Sequence, residues 1–436
     1  MFERPIVVLC TLGTRGDVNP FLAMSEGLRE RGHRVAFLSN RNWAEDAVGT
    51  GAEFFPIAEE DDPQSGRDDY QFFRTHTMPS FRRSFELIAR WAAEKRRMML
   101  VYRINMLGMQ AAAELFGIPN GRVVLQPCAI KSHLRPPWPM SQLTQGRMGS
   151  VGRKVIVPAL YRYAEFRSPY RRHMNLFRKS VGLTPQPLFH RWVETEDFIL
   201  MMCPKWFARP QDDWPKNTYI VGFPFAERRI VSATLKKFIQ QNGSPIVFTP
   251  GTGVTNTAAF FDRASEAVQA LGIPGIFLSR FVPERHRINP RVACQDYADL
   301  AWLLPQSRGF FHHGGIGSTA EALRAGIPQI IIPDRFDQPD NAMRVASLAL
   351  GAAVLSNRYS GRDWADLFNR ASRSEHIKSQ LSTAAHLLAN ENGIANSIAV
   401  VDHFIKLRHG NQCSSDPVYA IADIGEQTDQ IWSAAT

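Results

Sequence analysis

The stretch 310–344, FFHHGGIGSTAEALRAGIPQIIIPDRFDQPDNAMR, constrains the architecture of this chain more than any other. An apolar run ending at Phe311 meets His312, His313, Gly314, Gly315 and Gly317, too much glycine to prolong a strand. Ser318 and Glu321 have capping-box spacing, which places a helix start at Ser318. Ala320, Ala322, Leu323 and Ala325 favour helix, and Gly326 with Pro328 ends it. Residues 327–333 read as a buried strand, and Pro339 suits the first turn of a further helix. Strand, glycine turn, helix, strand, loop, helix is the grammar of an α/β domain with a parallel sheet.

A glycine turn that opens a helix is an anion site, because unpaired backbone N–H groups and the positive end of the helix dipole converge there. Glycine lets a bulky phosphate approach the backbone. His313 can donate a hydrogen bond to a phosphate oxygen, and Ser318 can add its hydroxyl. Glu321, one turn on, can accept from a ribose diol. Asp337 and Gln338 start the helix after the neighbouring strand and can bind sugar hydroxyls in the same crevice.

His313, Gly315, Ser318, Glu321, Asp337 and Gln338 fall in register on the donor-binding box of family 1 glycosyltransferases of the GT-B fold, and the segment resembles that box. The resemblance implies two Rossmann-like α/β domains facing each other across a cleft. It implies diphosphate contacts for His313 and Ser318 beside the turn glycines Gly314, Gly315 and Gly317, ribose for Glu321, and sugar for Asp337 and Gln338. Gly317 stands where the plant enzymes carry asparagine, and Gln295 stands near their base-stacking tryptophan. The donor is therefore left as a UDP- or dTDP-sugar, with Tyr297 as the stacking candidate. Upstream, 245–249 reads as a strand, and Gly251 and Thr252 match the family's second phosphate loop; a plain βα turn is the other reading.

At the N-terminus, 5–10 reads as a buried strand feeding Gly13, Thr14, Arg15, Gly16 and Asp17, with a helix beginning at Asn19-Pro20 and running to Arg31. The spacing G-x-G-x-x-G is not met, and no acid follows the next strand, 34–38, so a dinucleotide site is set aside. The loop 11–20 resembles the N-terminal loop of the same glycosyltransferases. There a histidine, or an aspartate in the sterol and bacterial branches, removes the acceptor proton. The resemblance implies Asp17 as that base, with Gly16 beside the donor. An aspartate of ordinary pKa, ~4, is a weak base for an alcohol, so its proton transfer must be concerted with bond formation. Alternatively, Asp17 only stabilises the helix start by charge–dipole attraction. Histidine-type members carry a partner carboxylate after the strand near 98–104. Tyr102, Arg103, Ile104 and Asn105 supply none, which agrees with an aspartate base.

In this fold the N-terminal domain supplies the acceptor pocket, so Phe72, Phe81, Phe85 and Trp91 are candidates to line it, with core packing as their plainer role. Residues 198–225 look like bacterial rhamnosyltransferases that glycosylate hydroxy-fatty-acid lipids. A length of 436 residues admits two to three domains. The boundaries read as 1–230 for the acceptor domain, 231–409 for the nucleotide-sugar domain and 410–436 for a polar tail. A last amphipathic helix, 394–408, often crosses back to the first domain in this fold.

No apolar run approaches the roughly 18 residues of a membrane helix. Five scattered cysteines fit reduced thiols in the cytoplasm without zinc spacing. The acidic pairs Asp61-Asp62 and Asp68-Asp69 lack strand context, so no metal is expected. The net charge of +10 is concentrated: 131–180 holds eleven Lys and Arg against Glu165 alone. Nucleic acid is set aside because no binding motif accompanies the charge. A membrane surface on the cytoplasmic side, an anionic amphiphilic acceptor and a plain solvated face are the readings that stay. The sequence thus points to an inverting, metal-independent hexosyltransferase without cofactor. It would move sugar from a UDP- or dTDP-sugar to a hydroxyl of a hydrophobic small molecule or lipid. A nucleotide-sugar epimerase and a non-catalytic nucleotide-sugar-binding helper of the same fold are the alternatives.

Overall fold

Short runs that are buried along their whole length pack best in a parallel sheet covered on both faces. The computed structural model, which describes residues 5–59, 73–104, 106–144, 149–186, 195–225, 231–356 and 358–409, arranges them so twice. The first sheet comprises β1 (Ile6–Cys10), β2 (Arg34–Asn40), β3 (Glu53–Ala58), β4 (Met98–Arg103), β5 (Asn120–Val124), β6 (Phe198–Met201) and β7 (Thr218–Ile220), in the order β3-β2-β1-β4-β5-β6-β7. The second comprises β8 (Ile246–Thr249), β9 (Gly275–Leu278), β10 (Val292–Gln295), β11 (Gly309–His312), β12 (Gln329–Ile331) and β13 (Gly351–Ala353), in the order β10-β9-β8-β11-β12-β13. Neighbouring strands pair in parallel in both sheets. Each sheet reverses its winding direction once, between β1 and β4 and between β8 and β11. Such a reversal opens a crevice beyond the carboxyl ends of the two strands.

The period-2 alternation of strands decides the two cores of the second unit. Phe248, Phe277 and Phe311 point to the face covered by Trp364 and Phe368. Val247, Ile276 and Phe310 point to the other, against Leu303 and Leu304. In the first unit, β1 and β4 pack under the helices Met78–Ala93 and Leu107–Phe116. Gly108 permits that close crossing, since a Cβ there would lie 2.0 Å from the Phe81 carbonyl oxygen.

Phe81, Phe85 and Trp91 belong to this core at 1%, 8% and 3% exposure, the plainer of the two roles read for them. Trp91 meets Phe55 edge-on at 5.0 Å, and Phe85 meets Phe177 the same way at 5.9 Å. All three lie on one side of the helix Met78–Ala93, the side that packs into this core. Phe72 lies outside the described residues, as does the tail 410–436.

The chain forms two compact units, the first reaching Pro224 and resuming at Asn392, the second spanning Phe225–Glu391. The last helix, Gly393–His409, therefore packs on the first unit, which differs from the span 231–409 read for the second domain. Phe404 lies over Phe198 with ring centroids 4.7 Å apart, Ile398 lies against Gly27, and Asp402 bridges Arg31 and His33 at 2.7 and 2.6 Å. Burial of Phe404 at 7% exposure makes its truncation expensive. Phe404→Ala should destabilise the first unit by roughly 3–5 kcal/mol, read as a lower urea midpoint for that unit's transition with the second unit's transition unmoved.

Candidate active site

The crevice of the second sheet is built by two turns. After β8 comes Gly251 at φ +100, and after β11 comes Gly314 at φ +89. Both conformations suit glycine alone among common residues. Close approach adds a second reason. A Cβ at Gly251 would sit 2.9 Å from Cε1 of His313, and one at Gly315 would sit 2.6 Å from its Nε2. The glycines thus make room for the His313 ring, which is seated between them.

Two side chains fix Gly314. His312, fully buried at the end of β11, accepts the Gly314 N–H on Nδ1 at 3.1 Å. Its Nε2 must then carry the proton, which it donates to Gln329 Oε1 at 3.0 Å. The Gly314 carbonyl accepts from Asn341 Nδ2 at 2.9 Å, and the same nitrogen donates to Asp337 Oδ2 at 2.8 Å. Burial, and then the neighbouring His313, lower the pKa of His312 to about 3. Burial lowers that of His313 to about 4 against the opposing pull of Asp334. At neutral pH both rings are therefore uncharged. His313 acts as a hydrogen-bonding group and not as a cation, and its Nδ1 is buried without a hydrogen-bond partner among the described residues.

The helix after the turn is Ile316–Ala325, with Gly315 as N-cap. Ser318 does not open it, and the capping box read for Ser318 and Glu321 does not form. The glycine turn brings the chain into helical geometry three residues earlier. Its first intrahelical bond runs from Thr319 N–H to Gly315 at 3.0 Å. The amides of Ile316, Gly317 and Ser318 precede that bond, so they are the ones an anion can use. Glu321 pairs with Arg324 at 2.5 Å. Gln338 turns its Oε1 back onto the amides of Asp334 and Arg335 at 2.8 and 3.1 Å and so shapes the loop itself. Asp337 is the N-cap residue of Gln338–Ser347. Thr252 and Gly317 are exposed, and Tyr297 follows β10 with its ring 39% exposed.

In the first unit, Asp17 lies at the other switch point. The helix Arg15–Glu30 starts before Asn19-Pro20, with Thr14 as N-cap and Asp17 in its first turn; Pro20 lies inside it. Asp17 Oδ2 accepts from the Thr14 N–H at 3.0 Å and from its hydroxyl at 3.3 Å. Asp17 Oδ1 meets Nη2 of Arg103, from the end of β4, at 2.7 Å, and Arg103 Nη1 also holds the Leu12 carbonyl at 3.2 Å. Both carboxylate oxygens are thus engaged. Gly13, at φ +127, is required here, because a Cβ would lie 2.3 Å from Asp17 Oδ2. Gly16 is exposed in the same turn. Arg103, Asn341 and His312 were not singled out by sequence. Arg103 could have been, since the β1–β4 pairing sets Tyr102 beside Cys10 and carries the next residue to the loop holding Asp17.

Two α/β units with parallel sheets, one with a glycine turn opening a helix at its winding reversal, have the architecture of the GT-B fold. Residues 7–114 match the glycosyltransferase family 28 N-terminal domain, and 268–394 match the erythromycin biosynthesis protein CIII-like C-terminal domain. A sterol 3-beta-glucosyltransferase of Arabidopsis thaliana is 26% identical over 91% of this chain and 67% of its own. The O-mycaminosyltylonolide 6-deoxyallosyltransferase of Streptomyces fradiae is 26% identical over 92% of this chain and 98% of its own. Among solved structures, the glycotransferase of kitacinnamycin superposes with a TM-score of 0.70 at 18% identity, over 93% of this chain and 100% of that one. VinC, crystallised with DTDP, gives 0.64 at 15% over 92% and 100%. The chain belongs to the family 1 glycosyltransferases of the GT-B fold.

The two neutral histidines generate a pH dependence whose sign is fixed. Their folded pKa values, about 3 and about 4, lie below the ordinary 6.5, so between these limits only the unfolded chain binds the protons. Stability of the second unit is therefore complete above about 6.5 and falls as pH drops, by up to ~1.4 kcal/mol per pH unit for each histidine. Urea titrations at pH 7 and pH 5, followed by tryptophan fluorescence, should show this fall, and His312→Asn should make it shallower.

Proposed function

We propose that this glycosyltransferase moves a hexosyl group, with inversion, from a UDP- or dTDP-sugar to a hydroxyl of a hydrophobic acceptor. The observation that carries the donor half is the His313 turn. His313 is seated beside Gly315, the N-cap of a helix whose first three amides lack intrahelical partners, and a diphosphate's oxygens would need such donors. As the bond from the anomeric carbon to the diphosphate breaks, negative charge grows on the leaving oxygens. Preorganised amides and the neutral His313 stabilise it, a role that a divalent cation takes in other transferases, so the reading needs no metal. Glu321 and Asp337 are assigned the ribose and the sugar, and Tyr297 the base. A DTDP complex of the similar VinC supports a nucleotide donor, and the sterol and tylonolide relatives support an apolar alcohol as acceptor.

The acceptor oxygen forms the new bond to the anomeric carbon from the side opposite the diphosphate, and its proton passes to the Asp17 carboxylate. That carboxylate forms an ion pair with Arg103 at 2.7 Å, and its proton transfer is concerted with bond formation. The same ion pair favours a second reading, in which Asp17 only caps its helix and the chain is an epimerase or a nucleotide-sugar-binding helper. Asp17→Asn separates them: general-base work contributes roughly 10²–10⁴ in rate, so turnover with a lipid, sterol or phenol acceptor should fall by that much while donor binding stays. Retention of turnover within a few-fold excludes the base role. His313→Ala should weaken UDP or dTDP binding by about 10–100-fold, the worth of a hydrogen bond to a charged group, measured by calorimetry after a thermal-shift screen of UDP, dTDP and GDP. Unchanged affinity would place the diphosphate elsewhere.

A further inference from the structure

Most of the excess positive charge sits on a helical segment whose polarity is turned inside out. In the helix Val157–Arg167, Val157 and Glu165 are buried, and Tyr161, on the same side, donates its hydroxyl to the Ser132 carbonyl at 3.2 Å. Glu165, the single acid of 131–180, is met there by Lys131 at 2.6 Å. The opposite side, at helical spacing three apart, carries Leu160, Tyr163 and Phe166 at 39%, 64% and 68% exposure. Val151 and Val155, in the turns just before, are 45% and 61% exposed. A soluble helix would show the reverse arrangement. Lys154, Arg162, Arg167, Arg172 and Lys179 are exposed around this apolar strip, and the Arg171 guanidinium lies 4.9 Å over the Phe166 ring. Leu176, 56% exposed, lies on the next helix, Pro169–Ser180, between Arg172 and Lys179.

Aromatic and aliphatic side chains facing outward, ringed by cations and with the acid withdrawn, match one kind of surface: an anionic bilayer. Rings seat among the headgroups and acyl chains, while the cations meet lipid phosphates. A nucleic acid would be met by the cations but leaves Val155, Leu160 and Phe166 in water. We infer that the 151–179 face docks this chain on an anionic lipid surface, lying in the interface without crossing it. No helix of the described residues is long and apolar enough to span a membrane.

The test is vesicle sedimentation of the full chain against phosphatidylcholine alone and phosphatidylcholine with about 30% phosphatidylglycerol. The chain should partition to the anionic vesicles and not to the neutral ones. Because the screening length shortens with salt, about 0.5 M NaCl should release much of it. Arg162→Gln with Arg167→Gln should weaken partition by about fivefold per cation removed, and Tyr163→Ser with Phe166→Ser should weaken it at least tenfold at about 25 cal/mol per Å² of buried ring. Both pairs are exposed, so melting temperatures should stay at the wild-type value. Equal partition of wild type and both variants overturns the proposal, as does equal binding to neutral vesicles. Vesicle partition unchanged while the KM for a soluble acceptor rises would overturn it too, and would make this face an acceptor contact. The outcome is independent of donor binding, so failure here leaves the His313 assignments standing.

Discussion

The Gly314 peptide is held from both ends, its N–H by a neutral His312 and its carbonyl by Asn341. The geometry of the turn follows from that clamp. It turns the chain at φ +89, which a side chain would resist. It delivers His313 into the gap beside Gly251, and it starts the next helix with Gly315 as N-cap, which leaves the amides of 316–318 ahead of the first intrahelical bond. The same Asn341 nitrogen reaches Asp337, so the two helix starts that border the crevice share one hydrogen-bond network. A buried imidazole does this at the cost of staying uncharged: burial excludes the proton, and an imidazolium could not accept from Gly314.

The first unit answers with an opposite electrostatic design. Where the second gathers donors without formal charge, the first holds a full carboxylate with a full guanidinium, Asp17 against Arg103. Each arrangement sits at a reversal of strand order, where adjacent loops diverge and leave space for a ligand. The strand pairing explains why the arginine is there: β1 and β4 are neighbours, so the residues that leave their ends meet without further contrivance.

Much of this was legible in the order of residues, and the limits have physical causes. The glycine turn at 313–317 and the two parallel sheets follow from local chemistry, because glycine, alternating burial and helix formers act within a few residues. The start of the helix was misplaced at Ser318 because a serine three residues before a glutamate satisfies the capping spacing wherever it falls; tertiary hydrogen bonds to Gly314 chose Gly315 instead. The aromatic residues of 81–91 were ambiguous for a related reason. A Phe or Trp suits a ligand pocket and a sheet-facing core equally, and only the neighbouring sheet decides. Arg103 was overlooked since its partner is eighty-odd positions away and visible only through strand order. Gln338 reads as a sugar ligand in sequence, yet its carbonyl oxygen is spent on two loop amides.

The return of Gly393–His409 to the first unit matters during synthesis. Phe198 and Gly27 leave the ribosome long before the helix that covers them, and the whole of Phe225–Glu391 must be made in between. Until the last turn of that helix emerges, the earlier-made unit stands with an uncovered apolar seat. That interval, during which the second unit can complete itself first, is when nascent chains of this kind would most need chaperone protection.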